Sequence, residues 1–373
     1  MIVLKFGGSS IKYDFEEATN LALSLFEDDA VIVVVSAIKG ITDKLILYSQ
    51  TLDKTIATKI ASEYVSFAKS HGIDPVILKP YLDELFNLPD LPEEALRDYI
   101  LSLGEVLSAV IFSASIGGKF VPSWDIFEAE GNFGNAFIDI KSSKKKFKRV
   151  FEVLEEGYIP VIPGFTAGKD GYILTLGRGG SDYSGVAAGV LGKAKLVAIM
   201  SDVEGIYTAD PKLVPSARLI PYVSYDEIII SSKHGMRALQ WKAAELAKEY
   251  KIPVLFGRTR NWRMGTLMSE RSSGMPLMTY KDGLLLVNVT EEIKYPIIAE
   301  GPFWKLYKVS QEEGIHLMRE LHTKLFQPSF IQYSVYKSSE NGQKTQEFNE
   351  KISIEQGENR KIYYSEEEVN LPG

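Results

Sequence analysis

The sequence predicts an α/β protein built on a mainly parallel sheet, followed by a smaller α+β unit. Three observations predict it. Strand-like and helix-like stretches alternate over roughly the first 270 residues, the pattern of crossover connections in a parallel sheet. Residues 30–35 form a continuous apolar run rich in valine, which suits a strand covered on both faces. Near Tyr280 the character changes, and from Lys337 the chain is polar, rich in Glu, Lys, Asn, Gln and Ser.

Taken in order, Ile2-Val3-Leu4-Lys5-Phe6 reads as a buried strand and Gly7-Gly8-Ser9-Ser10 as a tight turn. A helix is expected from about Asp14, where Phe15, Ala18, Leu21, Ala22 and Leu25 fall at helical spacing. The strand at 30–35 ends in the small polar loop Ser36-Ala37-Ile38-Lys39-Gly40-Ile41-Thr42-Asp43. Residues 44–116 read as mostly helical, interrupted near Pro75 and Pro89. The last of these helices sets Leu96, Tyr99, Leu103, Val106 and Val110 on one face, with Pro92 near its start and Gly117-Gly118 past its end. Short strands follow near Phe120 and Phe137, then a basic helix from Lys144 to Leu154, whose lysines suit a solvated face. A strand at 159–162 ends in a turn. Another at 172–176 runs into Gly177-Arg178-Gly179-Gly180-Ser181-Asp182, and a small apolar helix spans 183–191. Strand 196–200, helix 241–250 and strand 252–256 complete the alternation, and Gly265-Thr266-Leu267 closes it. Beyond Tyr280 the pattern predicts a strand at 283–289, a helix at 310–325 and strands at 329–336 and 361–364.

The 373 residues give room for two or three domains and a large core. Net charge is −7, with no basic patch interleaved with aromatics, so no nucleic-acid partner is expected. No apolar run reaches the ~18–20 residues that span a bilayer, and Met1 leads straight into the first strand, so a cytoplasmic protein with no membrane contact is expected. Cysteine is absent, which removes disulfides and thiolate metal sites. The four histidines show no metal-ligand spacing, and all four read as structural or exposed.

Four polar, glycine-containing loops follow predicted strands: 5–10, 36–42, 177–182 and 201–212. In an open parallel sheet, loops at the carboxyl ends of the strands line the ligand crevice. Gly7 and Gly8 put no side chain in the way of a ligand, and amides of the turn with Lys5 beside them favour an anion. No Walker motif occurs. Arg178 can grip a carboxylate with two parallel hydrogen bonds, or serve a structural ion pair. Glu105, on an otherwise apolar helical turn, must find a cation: a substrate ammonium or a lysine of the protein. Asp182 and Asp202 are candidates for orienting Lys5 or touching magnesium, or for capping a turn.

Together these residues resemble the aspartate kinases of the amino-acid kinase family. The resemblance rests on Lys5-Phe6-Gly7-Gly8-Ser9-Ser10, Val34-Val35-Ser36-Ala37 with Gly40-Ile41-Thr42, Ser102-Leu103-Gly104-Glu105 and Asn132-Phe133-Gly134-Asn135-Ala136. It continues in Gly177 to Asp182, in Ser201-Asp202-Val203-Glu204-Gly205-Ile206-Tyr207, and in Asp210-Pro211-Lys212. It implies a three-layer α/β sandwich at 1–272, with an aspartate half at about 1–165 and a nucleotide half at about 166–272. The implied activity is ATP- and Mg2+-dependent phosphorylation of the L-aspartate side chain to 4-phospho-L-aspartate, in a homodimer or larger homo-oligomer. Glutamate or an N-acylated amino acid as substrate, or a non-catalytic sensor, are the alternatives. By position, Lys5, Phe6, Gly7 and Gly8 would hold the phosphates. Ser36, Thr42, Glu105, Arg178, Ser181 and Asp182 would hold or orient aspartate. Ser201, Asp202, Tyr207, Lys212 and Arg237 would line the nucleotide. Lys5 would stabilise the transition state, Asp182 would orient Lys5, Arg178 would take the α-carboxylate and Glu105 the ammonium. No metal site of the protein's own is expected.

Three positions depart from the pattern. Ser201 stands for threonine, Lys212 for arginine, and Arg237 for a lysine within Gly235-Met236-Arg237-Ala238-Leu239-Gln240-Trp241. All lie on the nucleotide side. The resemblance also implies paired ACT domains at the carboxyl end, but residues 280–373 leave room for one. Its expected effector turn is replaced by Thr290-Glu291-Glu292 and a longer loop from Tyr295 to Trp304. The expectation is a degenerate, weakly responsive ACT-like domain that helps dimerisation, or a divergent tail.

Overall fold

A computed structural model describes residues 1–288 and 293–326 with their side chains, and three later strands by their backbone alone. The central element is an eight-stranded sheet. Its strands are β1 (Ile2–Phe6), β2 (Val31–Val35), β3 (Lys119–Phe120), β4 (Pro160–Pro163), β5 (Leu196–Ser201), β6 (Tyr222–Ser224), β7 (Val254–Arg258) and β8 (Arg263–Ser269). Their order across the sheet is β6-β8-β7-β5-β1-β2-β4-β3. Every pairing is parallel except β7 with β8.

Strand alternation divides the core between the two faces of this sheet. Val3, Ile32, Val34, Val197 and Ile199 join one cluster, under helices Gly180–Gly192 and Trp241–Tyr250. Leu4, Phe6, Val31, Val33, Val35 and Met200 join the other, under helices Phe15–Phe26, Ile41–Thr51, Lys54–Ser70 and Glu93–Ser115. The result is the expected three-layer sandwich. All five residues of β2 are fully buried, and burying each such aliphatic side chain contributes about 1.5–3 kcal/mol.

Several elements differ from the sequence reading. The first helix begins at once, as Gly8–Tyr13, and breaks at Asp14 before Phe15–Phe26. The basic helix is two helices, Ile140–Lys146 and Lys148–Glu155, joined at Phe147, whose ring is buried in the core. Tyr172–Thr175 joins not the main sheet but a small second one, ordered Phe137–Asp139, Glu128–Glu130, Thr166–Lys169, Tyr172–Thr175. The helix Tyr225–Lys233 was not anticipated; Ser224 and Glu227 cap it reciprocally.

The carboxyl-terminal unit is α+β. Met278–Lys281, Leu284–Val287, Trp304–Lys308 and Ile297–Gly301 form an antiparallel sheet in that order, and helix Gln311–Leu325 follows. The stretch from Tyr295 to Trp304, expected as a loop, thus contains a strand. Ser329–Lys337, expected to complete a βαβ start, pairs instead with Gln346–Ile354, which pairs with Ile362–Glu367 in a separate sheet. Thr290-Glu291-Glu292 lie outside the described residues. Leu317, Met318 and Leu321 pack against Ala209 and Val214 of the loop after β5. On the same helix, buried His322 meets the Thr208 hydroxyl at 2.9 Å and the Ser216 hydroxyl at 3.1 Å. No helix among the described residues is long and apolar enough to cross a membrane.

Candidate active site

Parallel pairing brings the carboxyl ends of β1, β2, β4 and β5 to one place. There Ser36 N–H donates to the Phe6 carbonyl (3.1 Å), Gly7 N–H to Met200 (3.0 Å), Gly164 N–H to Val35 (2.9 Å) and Lys39 N–H to Gly8 (3.1 Å). The loops after β1 and β2 interlock closely: a Cβ on Gly8 would sit 2.5 Å from the Ala37 carbonyl oxygen. Gly8 is therefore required by its neighbouring loop, a constraint separate from any ligand.

Lys5 lies in the middle of the sheet, between Val34 of β2 and Ile199 of β5, and is 7% exposed. A lone ammonium there would be costly. Its partner is Asp182, with which it forms an ion pair. Asp182 stands in the first turn of the helix Gly180–Gly192, where a carboxylate suits the helix dipole. Glu105 is also buried, at 4%, on the helix Glu93–Ser115. Burial pushes its carboxyl up to about 8, against the Ala37 amide and the charge of Lys5, which favour ionisation. Its Oε2 has no hydrogen-bond partner among the described residues. Gly104 lets the helix reach the second loop, since a Cβ there would lie 2.9 Å from both Ala37 Cβ and Leu45 Cδ1. Buried Tyr64 fastens the same junction, its hydroxyl donating to the Gly104 carbonyl (2.7 Å).

Arg178 is exposed, at the end of the small sheet and before the Asp182 helix. No hydrogen bond or ion pair involves it among the described residues, so its fork is available. Ser181 is buried behind it, close enough to Gly164 that a Cβ there would meet Ser181 Cβ at 2.8 Å. Ser36 and Thr42 are half-buried in the second loop.

The expected phosphate and nucleotide residues divide. Phe6 does not face a ligand: its ring is fully buried and stacks on Phe112, centroids 5.5 Å apart. Phe6 occupies the core side of the alternating strand, Lys5 the other. Gly7 spends its amide on Met200, so a phosphate would meet the turn from Gly8 onward. Ser201 spends its hydroxyl on its own turn, accepting from Val203 N–H at 3.2 Å, and exposed Asp202 pairs with Lys39 at 3.6 Å. Tyr207, Lys212 and Arg237 do come together, lining a cleft of about 530 Å3 whose other wall includes Tyr280, Lys281 and Met318 of the carboxyl-terminal unit. Thr259 went unnoticed in the sequence; buried, it donates to Ser10 Oγ at 2.7 Å and ties β7 to the first loop. Asp98 and Lys242 were also missed. Asp98 carried a usable signal, a carboxylate on the mostly apolar helix of Glu105, two turns earlier.

Among known proteins, residues 1–257 match the model of the amino acid kinase family. The chain belongs to the amino acid kinase family. Similar curated members include an aspartokinase of Helicobacter pylori, 33% identical over 72% of this chain and 59% of that protein. Aspartokinase 1 of Bacillus subtilis is 30% identical over 73% of this chain and 61% of that protein. The chain thus spans about three fifths of the length of these two relatives. In structure, this amino acid kinase is similar to Escherichia coli aspartokinase III, solved in complex with aspartate and ADP. The TM-score is 0.66 over 95% of this chain and 87% of that one, at 19% identity, and shows a shared fold.

Proposed function

We propose that the chain is an aspartate kinase that transfers the γ-phosphoryl group of ATP to the side-chain carboxylate of L-aspartate, giving 4-phospho-L-aspartate. The observations that carry this reading are the Lys5–Asp182 ion pair, the orphaned Glu105 carboxyl that feels the charge of Lys5, and Arg178, four residues before Asp182 and without an ion pair among the described residues. Aspartate needs one of each. Its ammonium suits Glu105, its α-carboxylate suits the Arg178 fork, and its side-chain carboxylate is ionised at neutral pH and needs no general base. The similarity to curated aspartokinases supports the same substrate.

The remaining catalytic work is positioning and charge neutralisation. Lys5, held in place by Asp182, stabilises charge growing on the transferred group. The first turn of the helix Gly8–Tyr13 offers amides to the phosphates, and the cleft of Tyr207, Lys212 and Arg237 takes the rest of the nucleotide. Among the described residues no cluster of three or more His, Cys, Asp or Glu could hold a metal. Mg2+ keeps most of its waters and takes one or two carboxylates plus substrate phosphates. Asp182 and Asp202, which pair with Lys5 and Lys39 in this structure, are the carboxylates that would take the ion, and it would neutralise phosphate charge. Residues 1–272 form the catalytic domain in this reading, working in the cytoplasm as a homodimer or larger homo-oligomer.

Protein incubated with ATP, Mg2+ and L-aspartate should yield an acyl phosphate trapped as a hydroxamate. Folded protein that yields none would remove the proposal. Glutamate and N-acetylglutamate in the same assay test the alternatives; an N-acylated substrate has no ammonium for Glu105.

A further inference from the structure

Two fully enclosed charges lie outside the crevice and make no ion pair among the described residues. Asp98 is completely buried on the helix that carries Glu105. It accepts hydrogen bonds from Gly134 N–H (2.7 Å), Thr175 N–H (2.7 Å) and the Thr175 hydroxyl (3.0 Å). Lys242 is 3% exposed in the first turn of the helix Trp241–Tyr250. Its ammonium donates to the Asn135 carbonyl (3.1 Å), Asn135 Oδ1 (2.7 Å) and the Ala136 carbonyl (3.1 Å).

An anion from one helix and a cation from another therefore grip the same short stretch, Gly134-Asn135-Ala136. That stretch abuts the loop of Arg178. Ala136 N–H donates to the Thr175 carbonyl at 2.9 Å, and a Cβ on Gly177 would lie 2.8 Å from Asn135 Oδ1. Gln240, two residues before Lys242, donates to the Leu176 carbonyl at 3.1 Å. Thr175 and Leu176 thus each have a partner fixed by one of these two charges or its neighbours, and Gly177 lies hard against Asn135.

The arrangement is expensive. Burial raises the Asp98 carboxyl despite its three hydrogen bonds, and lowers the Lys242 ammonium. Lys242 also stands at the helix end that disfavours cations. An apolar residue at either position would strand the buried donors or acceptors that the charge there satisfies. Such a cost is understandable where it fixes a geometry.

We propose that Asp98 and Lys242 are positioning residues that set the reach of Arg178, and so determine which chain length of acidic amino acid the crevice accepts. This rests on the reading of Arg178 as the grip on the substrate α-carboxylate. One methylene separates aspartate from glutamate, so a displacement of Arg178 by about 1 Å matters to both rate and choice.

The test uses the full chain with Asp98→Asn, Lys242→Met, Lys242→Arg and Asn135→Ala. Asp98→Asn and Lys242→Met should raise the KM for aspartate about tenfold or more, with the KM for ATP within about twofold, and narrow the preference for aspartate over glutamate. Lys242→Arg, which keeps the charge and the donors, should restore most of that preference. Lower thermal stability with unchanged KM and selectivity would make both residues merely structural and overturn the proposal. Asn135→Ala removes one acceptor of Lys242 without stranding a carboxylate; it covers the case in which a charge variant fails to fold, and should shift the aspartate KM in the same direction. If the parent protein makes no acyl phosphate, the substrate reading fails, and amide exchange then judges the positioning claim. Exchange at 174–178 should rise in any folded variant, and unchanged exchange would overturn the claim.

Discussion

At the scale of single residues, Glu105 makes the most specific prediction. Its carboxyl stands near 8 when folded against an ordinary 4.5, so the folded protein holds a proton that the unfolded chain gives up. The contribution of Glu105 to stability is therefore fully present below about 4.5 and is lost as pH rises towards about 8. Glu105→Gln should flatten that decline, seen as a melting temperature above the parent's at pH 8 and converging with it near pH 5. A bound ammonium favours the carboxylate, so aspartate binding at pH 7 should release a proton, measured by calorimetry in buffers of different ionisation heat. No release would remove Glu105 from the ammonium site. Lys5→Ala should lower kcat about a hundredfold or more, because its contact strengthens as charge develops. Arg178→Lys should chiefly raise the aspartate KM through loss of the two-point grip. Lys5 and Glu105 were legible because a charge within an apolar stretch demands a partner. Phe6 was misread because neighbours in a strand face opposite sides, and a motif does not say which side holds the ligand. Lys242 was not legible, since its partners, two backbone carbonyls and the Asn135 side chain, lie 106 and 107 residues earlier.

At the scale of elements, the parallel strands were readable from unbroken apolar runs, and their loops from the glycines after them. The second sheet was not, because its three- and four-residue strands carry too few alternations to show a period. Ile297–Gly301, within the stretch expected as a loop, is a strand of only five residues, bounded by prolines at 296 and 302. The contact between the Glu105 helix and the second loop turns on Gly104. Replacing a helical glycine by alanine gains up to about 1 kcal/mol in propensity, whereas forcing a methyl into a packed contact costs about 1–3 kcal/mol. With two carbons at 2.9 Å, the crowding should win. Gly104→Ala should lower the melting temperature and raise the aspartate KM together; a stabilised variant would mean that the loop yields easily.

At the scale of the whole molecule, the carboxyl-terminal helix packs on the loop that lines the cleft of Tyr207, Lys212 and Arg237, through Thr208–His322 and a bond of 2.7 Å from Arg319 to the Leu213 carbonyl. Nucleotide should therefore slow amide exchange in the helix Gln311–Leu325 as well as in the cleft; protection confined to the cleft would separate the two. Lysine, threonine or methionine should change activity only weakly, and strong inhibition by any of them would show a working effector site. A last consequence concerns time. β1 lies in the middle of the sheet, and one of its neighbours, β5, is made much later than it: Ser10 bonds to a carbonyl 190 residues ahead. At ~5–20 residues per second on the ribosome, roughly 10–40 s pass before that neighbour emerges. For that interval an apolar strand has an open edge, the state in which nascent chains pair with one another. The lysine of the site thus has no fixed place until Ile199, its neighbour on the later strand, has been made.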